Sequence, residues 1–136
     1  MPQQNGLGIY ENSSLHFSLI LNPHVVAHDY DEGYGAHTIT FEDPDSSQEF
    51  QIFAAPYTDT QVTAERFKMD EPSGVFDQPT DVIIDGVRGT MFYSTNTAMG
   101  DTREVWFIRG AYLYEVTTEK SSDTWLAGIM ATWKFI

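Results

Sequence analysis

Apolar positions recur with a period of two along most of the chain, which predicts strands. LGIYE (7–11) and HFSLIL (16–21) are β-prone runs separated by the polar ENSS, the pattern of a hairpin. Asn22-Pro23 closes the second run. GAHTITF (35–41) places His37, Ile39 and Phe41 on one face and Thr38 and Thr40 on the other. EDPDSSQ predicts a tight reversal, and EFQIFAA (49–55) returns with Phe50, Ile52 and Ala54 opposite Gln51 and Phe53. In VIIDGVRGTMFYS, Asp85-Gly86 suits a type I′ turn between two strands. PSGVFDQPT ahead of it reads as a loop and STNTAMGDT after it as a turn. REVWFIRGAYLYEVTT reads as two strands meeting at Arg109-Gly110.

Two segments change period. DTQVTAERFKM (59–69) is a helix candidate, capped by Asp59 or Thr60 and stopped by Glu71-Pro72. In SSDTWLAGIMATWKFI, Trp125, Leu126, Ile129, Met130 and Trp133 share one helical face, with Ser121 or Ser122 as cap and Asp123 in the first turn. Thr132 to Ile136 then reads as a terminal strand expected to pair into the sheet. The order β-β-β-β-α-β-β-β-β-α-β predicts an α+β fold with a mostly antiparallel sheet, and argues against a doubly wound parallel one. Without a repeat or an interdomain linker, 1–136 is expected to form a single domain.

Composition narrows the chemistry. At 136 residues, 41% hydrophobic and 14% aromatic, the chain can build a packed core. It has no cysteine, so disulfides, thiolate metal sites and cysteine nucleophiles are excluded. The net charge is −13 and uneven. The basic residues Arg66, Lys68, Arg88, Arg103, Arg109, Lys120 and Lys134 all follow the first 65 positions, which hold ten acids. Such a surface repels nucleic-acid backbones and anionic lipids, and attracts basic partners or divalent cations. No run approaches the ~20 apolar residues of a membrane span. The opening MPQQNG has neither the basic nor the apolar region of a signal peptide. The compartment stays open: extracytoplasmic if a leader has been removed ahead of Pro2, cytoplasmic if Met1 is the start.

The densest cluster of candidate chemistry is AHDYDEGYGAH (27–37), read as a solvated loop between strands. His28, Asp29, Asp31 and Glu32 are candidate ligands for Zn²⁺ or Ni²⁺, which accept imidazole and carboxylate. The spacing fails the calcium EF-hand pattern, with Gly33 at its fifth position and Thr40 at its twelfth. Asp43 and Asp45 lie beyond the 35–41 strand, roughly 20 Å away, too far to share a metal with the cluster. Together Asp29, Asp31, Glu32, Asp43 and Asp45 form a candidate acidic edge for a protein partner. Acid–base catalysis needs a carboxyl in a dry pocket, which an Asp/Glu/Gly loop does not supply. GxSxG, HExxH and phosphate-loop motifs are absent, so no enzyme is expected. Tyr93, Trp106, Tyr112 and Tyr114 line an aromatic groove or, more simply, pack the two faces of a covered sheet.

Three stretches resemble the Mog1/PsbP-like superfamily: IYENSSLHFSLILNP, VIIDGVRGTMFYS, and REVWFIRGAYLYEVTT with LAGIMATWKFI. The resemblance touches most of the chain. It departs at 22–34, where the family often has an aromatic soon after the proline and this chain runs HVVAHDYDEG. The resemblance implies an α/β/α sandwich on a curved antiparallel sheet. It also implies a non-enzymatic role, since family members include extrinsic photosystem subunits, a Ran-binding protein and bacterial domains that are often exported. It carries over no functional residue. The expected function is therefore a non-catalytic binding or assembly-accessory domain that engages a protein partner through its acidic surface, with no cofactor. The alternative is a small-ligand or divalent-metal-binding module.

Overall fold

Where the polar ENSS interrupts two β-prone runs, β1 (Gly8–Asn12) turns back into β2 (Phe17–Leu21) with Asn12 opposite Phe17. The side chain of Asn12 holds this turn, its Oδ1 accepting from Leu15 N and Ser14 Oγ, both at 3.0 Å. The computed structural model describes residues 8–58, 76–96 and 100–136. The predicted helix at 59–69 lies outside them.

Seven further strands follow: β3 (Val26–Gly33), β4 (Ala36–Asp43), β5 (Gln48–Pro56), β6 (Asp77–Ile84), β7 (Val87–Asn96), β8 (Gly100–Arg109) and β9 (Tyr112–Glu119). They form one antiparallel sheet in the order β3-β4-β5-β9-β8-β7-β6. The last elements are a short 3₁₀ turn, the helix α1 (Asp123–Met130) and β10 (Lys134–Phe135). This is the α+β, antiparallel architecture that the strand order predicts.

Several details differ from the sequence reading. The 27–37 segment is a hairpin, not a loop: β3 and β4 join through Tyr34 and Gly35, both at positive φ. The 72–80 loop gives way to strand from Asp77 onward. The terminal strand pairs not with the large sheet but with β2, completing a second sheet in the order β1-β2-β10.

The Asp85-Gly86 turn forms as expected, with φ of 45° and 81° between Ile84 and Val87. The turn between β8 and β9 sits one residue later than predicted, at Gly110-Ala111, both again at positive φ. Gly89 serves close approach: a Cβ there would lie 2.9 Å from Phe107 Cβ and from the Trp106 carbonyl.

The core lies between one face of the large sheet and a mixed layer of β2, α1 and β10. Leu15, Phe17, Leu19 and Leu21 meet Ile39, Phe41, Phe50, Ile52, Val105, Phe107, Tyr114 and Val116, while Leu126, Ile129 and Met130 of α1 close one side. The Tyr114 hydroxyl crosses this core to donate to the Leu15 carbonyl at 2.8 Å, and burial pushes its pKa up to about 12. On the opposite face Phe92 and Trp106 are fully buried with Phe76 against them. The sheet is thus covered on both faces. Its aromatic strand residues divide between them, Tyr114 to one and Trp106 to the other, rather than lining a common groove.

Trp133 ties the layers together. It stacks on Phe17 at 4.3 Å and meets Phe107 and Tyr114 edge-on at 4.9 and 5.6 Å. It is 1% exposed, and its Nε1–H has no hydrogen-bond partner among the described residues. Trp133→Ala should therefore cost about 3–5 kcal/mol in urea unfolding. Trp133→Phe, which keeps the stack and removes an unsatisfied donor, should cost only about 1–2 kcal/mol. Deleting Trp133 to Ile136 should be at least as damaging as the alanine change. A truncated chain melting within a few degrees of the parent would refute this role.

Candidate functional site

β3 overhangs the core, and this explains both its composition and its exposure. Its residues from Val26 to Glu32 are all exposed. Its partner β4 buries Ile39 and Phe41 completely. Strand alternation places Ala27, Asp29 and Asp31 on the face of His37, Ile39 and Phe41, and His28, Tyr30 and Glu32 on the face of Thr38 and Thr40. The contacts agree with this division. His37 Nδ1 lies 2.8 Å from Asp29 Oδ1 on one face, and Thr38 Oγ1 donates to Glu32 Oε2 at 2.8 Å on the other. Asp31 Oδ1 accepts from the backbone N–H of Gly33 at 2.8 Å and so shapes its own turn.

The four candidate ligands His28, Asp29, Asp31 and Glu32 are therefore split in pairs across the sheet. Among the described residues no group of three or more His, Asp or Glu side chains is placed to hold a metal ion. The physical reason is the extended backbone: on a strand, adjacent residues point in opposite directions, whereas a loop is free to gather them.

The five acids of the candidate partner edge separate as well. Asp29, Asp31 and Glu32 share the turn end of the β3–β4 hairpin. Asp43 is buried at the far end of β4, where its Oδ1 accepts from Asp45 N at 2.9 Å and closes the β4–β5 turn. Asp45 is exposed and pairs with His24 at 2.7 Å. Sequence reasoning missed Glu42 and Glu49, exposed acids directly opposite each other across β4 and β5. From Val26 to Pro56 the chain holds seven acids and no lysine or arginine.

A second feature lies at the opposite end of the sheet. A cleft of about 240 Å³ opens between α1 and strands β6 to β8, walled by Val82, Ile84, Met91, Val105, Leu126 and Met130. The ion pair of Arg103 with Asp123 lines its polar end. Arg103 Nε and Nη2 donate to the two Asp123 oxygens at 2.9 and 3.1 Å, and the Tyr93 hydroxyl donates to Oδ2 at 3.0 Å. The guanidinium lies 3.7 Å over the Tyr93 ring. Asp123 stands in the first helical turn, as expected, but neither serine caps α1 through its side chain. Ser122 occupies the cap position, and its hydroxyl accepts from Gln48 Nε2 at 3.2 Å. No helix among the described residues is long and apolar enough to cross a membrane.

Hydrogen bonds from Arg103 hold the Asp123 carboxyl below its usual pKa, against a smaller opposing effect of burial and with further help from Tyr93. A carboxyl depressed in the folded state stabilises the fold above its unfolded pKa of 3.8, and that contribution is lost as the pH falls through the lower folded value. Asp123→Asn should therefore lower stability at pH 7 and flatten the acid limb of a stability-against-pH curve below about pH 4. An unchanged acid limb in urea titrations would show that the pair carries no linkage.

No protein-family profile and no curated protein matches the sequence. Among solved structures, the chain is similar to the solution structure of cyanobacterial PsbP (CyanoP) from Synechocystis sp. PCC 6803. The TM-score is 0.71 at 7% identity, over 98% of this chain and 95% of that one. With ten strands, the helix α1 and both sheets in place among the described residues, the chain has a PsbP-like fold.

Proposed function

We propose that this chain is a non-catalytic binding or assembly-accessory domain that engages a basic protein partner through the acidic end of its large sheet. One observation carries the reading. Asp29, Asp31 and Glu32 are displayed on a strand exposed over nearly its whole length, within a region free of lysine and arginine. Such a surface favours fast, salt-sensitive encounter with a positive partner. The two histidine–carboxylate pairs, His37 with Asp29 and His24 with Asp45, lie on the surface, where water competes, rather than in the dry pocket that acid–base chemistry requires. The PsbP-like fold is compatible with an accessory role and assigns no chemistry by itself.

Reversing Asp29, Asp31 and Glu32 to lysine should abolish salt-dependent capture of poly-lysine by the immobilised protein. The same reversal at the exposed Asp81, Asp101 and Glu119 should leave most of the capture in place. Equal loss in both variants would show that only total charge matters, and unchanged capture in the first would discard the acidic edge.

A second reading rests on the cleft beside α1, whose apolar walls, Ala127 among them, suit a small apolar ligand. Filling it with Ala127→Trp should remove saturable binding of an apolar fluorescent dye without lowering the melting temperature. Dye binding that persists in this variant would place the ligand elsewhere.

A further inference from the structure

Among the described residues the large sheet ends in β6 on one side and β3 on the other, and the two edges are built differently. β6 contains Pro79, a Gln78 in the left-handed region at φ 52° and a register shift between Asp77 and Thr80. Each of these discourages a further strand from pairing. β3 has no proline, keeps regular pairing with β4 from Val26 to Asp31, and shifts register only beside its turn. Its free edge extends over roughly 20 Å and turns a row of backbone N–H and C=O groups toward solvent.

We infer that β3 receives an added β-strand from a basic, extended protein segment, a mode that rests on the acidic-edge reading above. The side-chain pattern specifies the guest. Asp29 and Asp31 on one face call for cations at alternate positions of the added strand. Val26 and Tyr30 on the other face, 47% and 53% exposed, call for apolar residues between them. Glu32 adds a negative charge at the turn end. A second copy of this chain is a poor guest, because pairing β3 with β3 would bring its carboxylates against one another. Backbone hydrogen bonds supply the affinity, and the alternating charge sets the preference.

The test uses the whole chain and a capped peptide of alternating lysine and valine about as long as β3. A control peptide carries N-methyl groups on every second amide of its pairing edge. The unmodified peptide should bind, protect the outward amides of β3 from hydrogen exchange, and lose at least about tenfold in affinity on N-methylation. The triple variant Asp29→Lys, Asp31→Lys, Glu32→Lys should instead prefer a glutamate–valine peptide. Equal binding of both lysine peptides, without protection of β3, would overturn strand addition while leaving the acidic-edge reading intact. No binding of either peptide at low salt would overturn both. A concentration-dependent dimer with β3 protected in the absence of peptide would overturn the inference in favour of a second copy.

Discussion

The indole of Trp133 stacks on Phe17 of the small sheet while its faces and edges meet Phe107 and Tyr114 of the large one. Without this junction β1, β2 and β10 would be a three-stranded ribbon of little independent stability. The apolar face of β4, β5, β9 and β8 would likewise lose much of its cover. The Tyr114 hydrogen bond to the Leu15 carbonyl and the bond from Ile20 N to Thr132 Oγ1 brace the same junction with polar contacts. The Asp85 carboxylate adds another by accepting from Phe135 N at 2.9 Å, so the β6–β7 turn also grips the end of the small sheet.

Because the core is concentrated under the middle strands, the margins of the large sheet are free to vary. At one margin α1 leaves an apolar cleft lined at its polar end by Arg103 and Asp123. At the other, β3 projects past the small sheet and contributes almost nothing to burial. A strand relieved of packing can carry a high density of carboxylates at little cost to stability, since its charges keep their hydration.

Where a strand has one buried face, its pattern is visible in the sequence. β4 and β5 alternate as read, and Asp85-Gly86 marks its own turn. β3 escaped detection because neither of its faces is buried, so no period of two is imposed on it. The turn at Gly110-Ala111 was displaced by one residue because alanine at φ 66° carries no turn signal. The division into two sheets was hidden for a different reason: alternation reports which face of a strand is buried, not which strand lies beside it. The candidate site was legible in the same partial way. The excess of acids in the first 65 positions is a matter of composition and could be read directly. The burial of Asp43 and the scattering of His28, Asp29, Asp31 and Glu32 over two faces depend on backbone geometry that composition does not encode. Arg103 and Asp123 stand 20 residues apart, and nothing local links them.

The position of β2 between β1 and β10 bears on how the protein is made. The first of these partners directly precedes β2 in the sequence, while the other follows it only after seven further strands and α1. Until α1 and β10 have been made, Phe17 and Leu19 of β2 lack both Trp133 and the helix that cover them, and the nascent chain carries an unshielded apolar ribbon. Pairing β10 with β2 is a long-range contact, of the kind whose chain-entropy cost slows folding. Throughout that interval the surplus of negative charge in the early half of the chain would help keep neighbouring nascent chains apart.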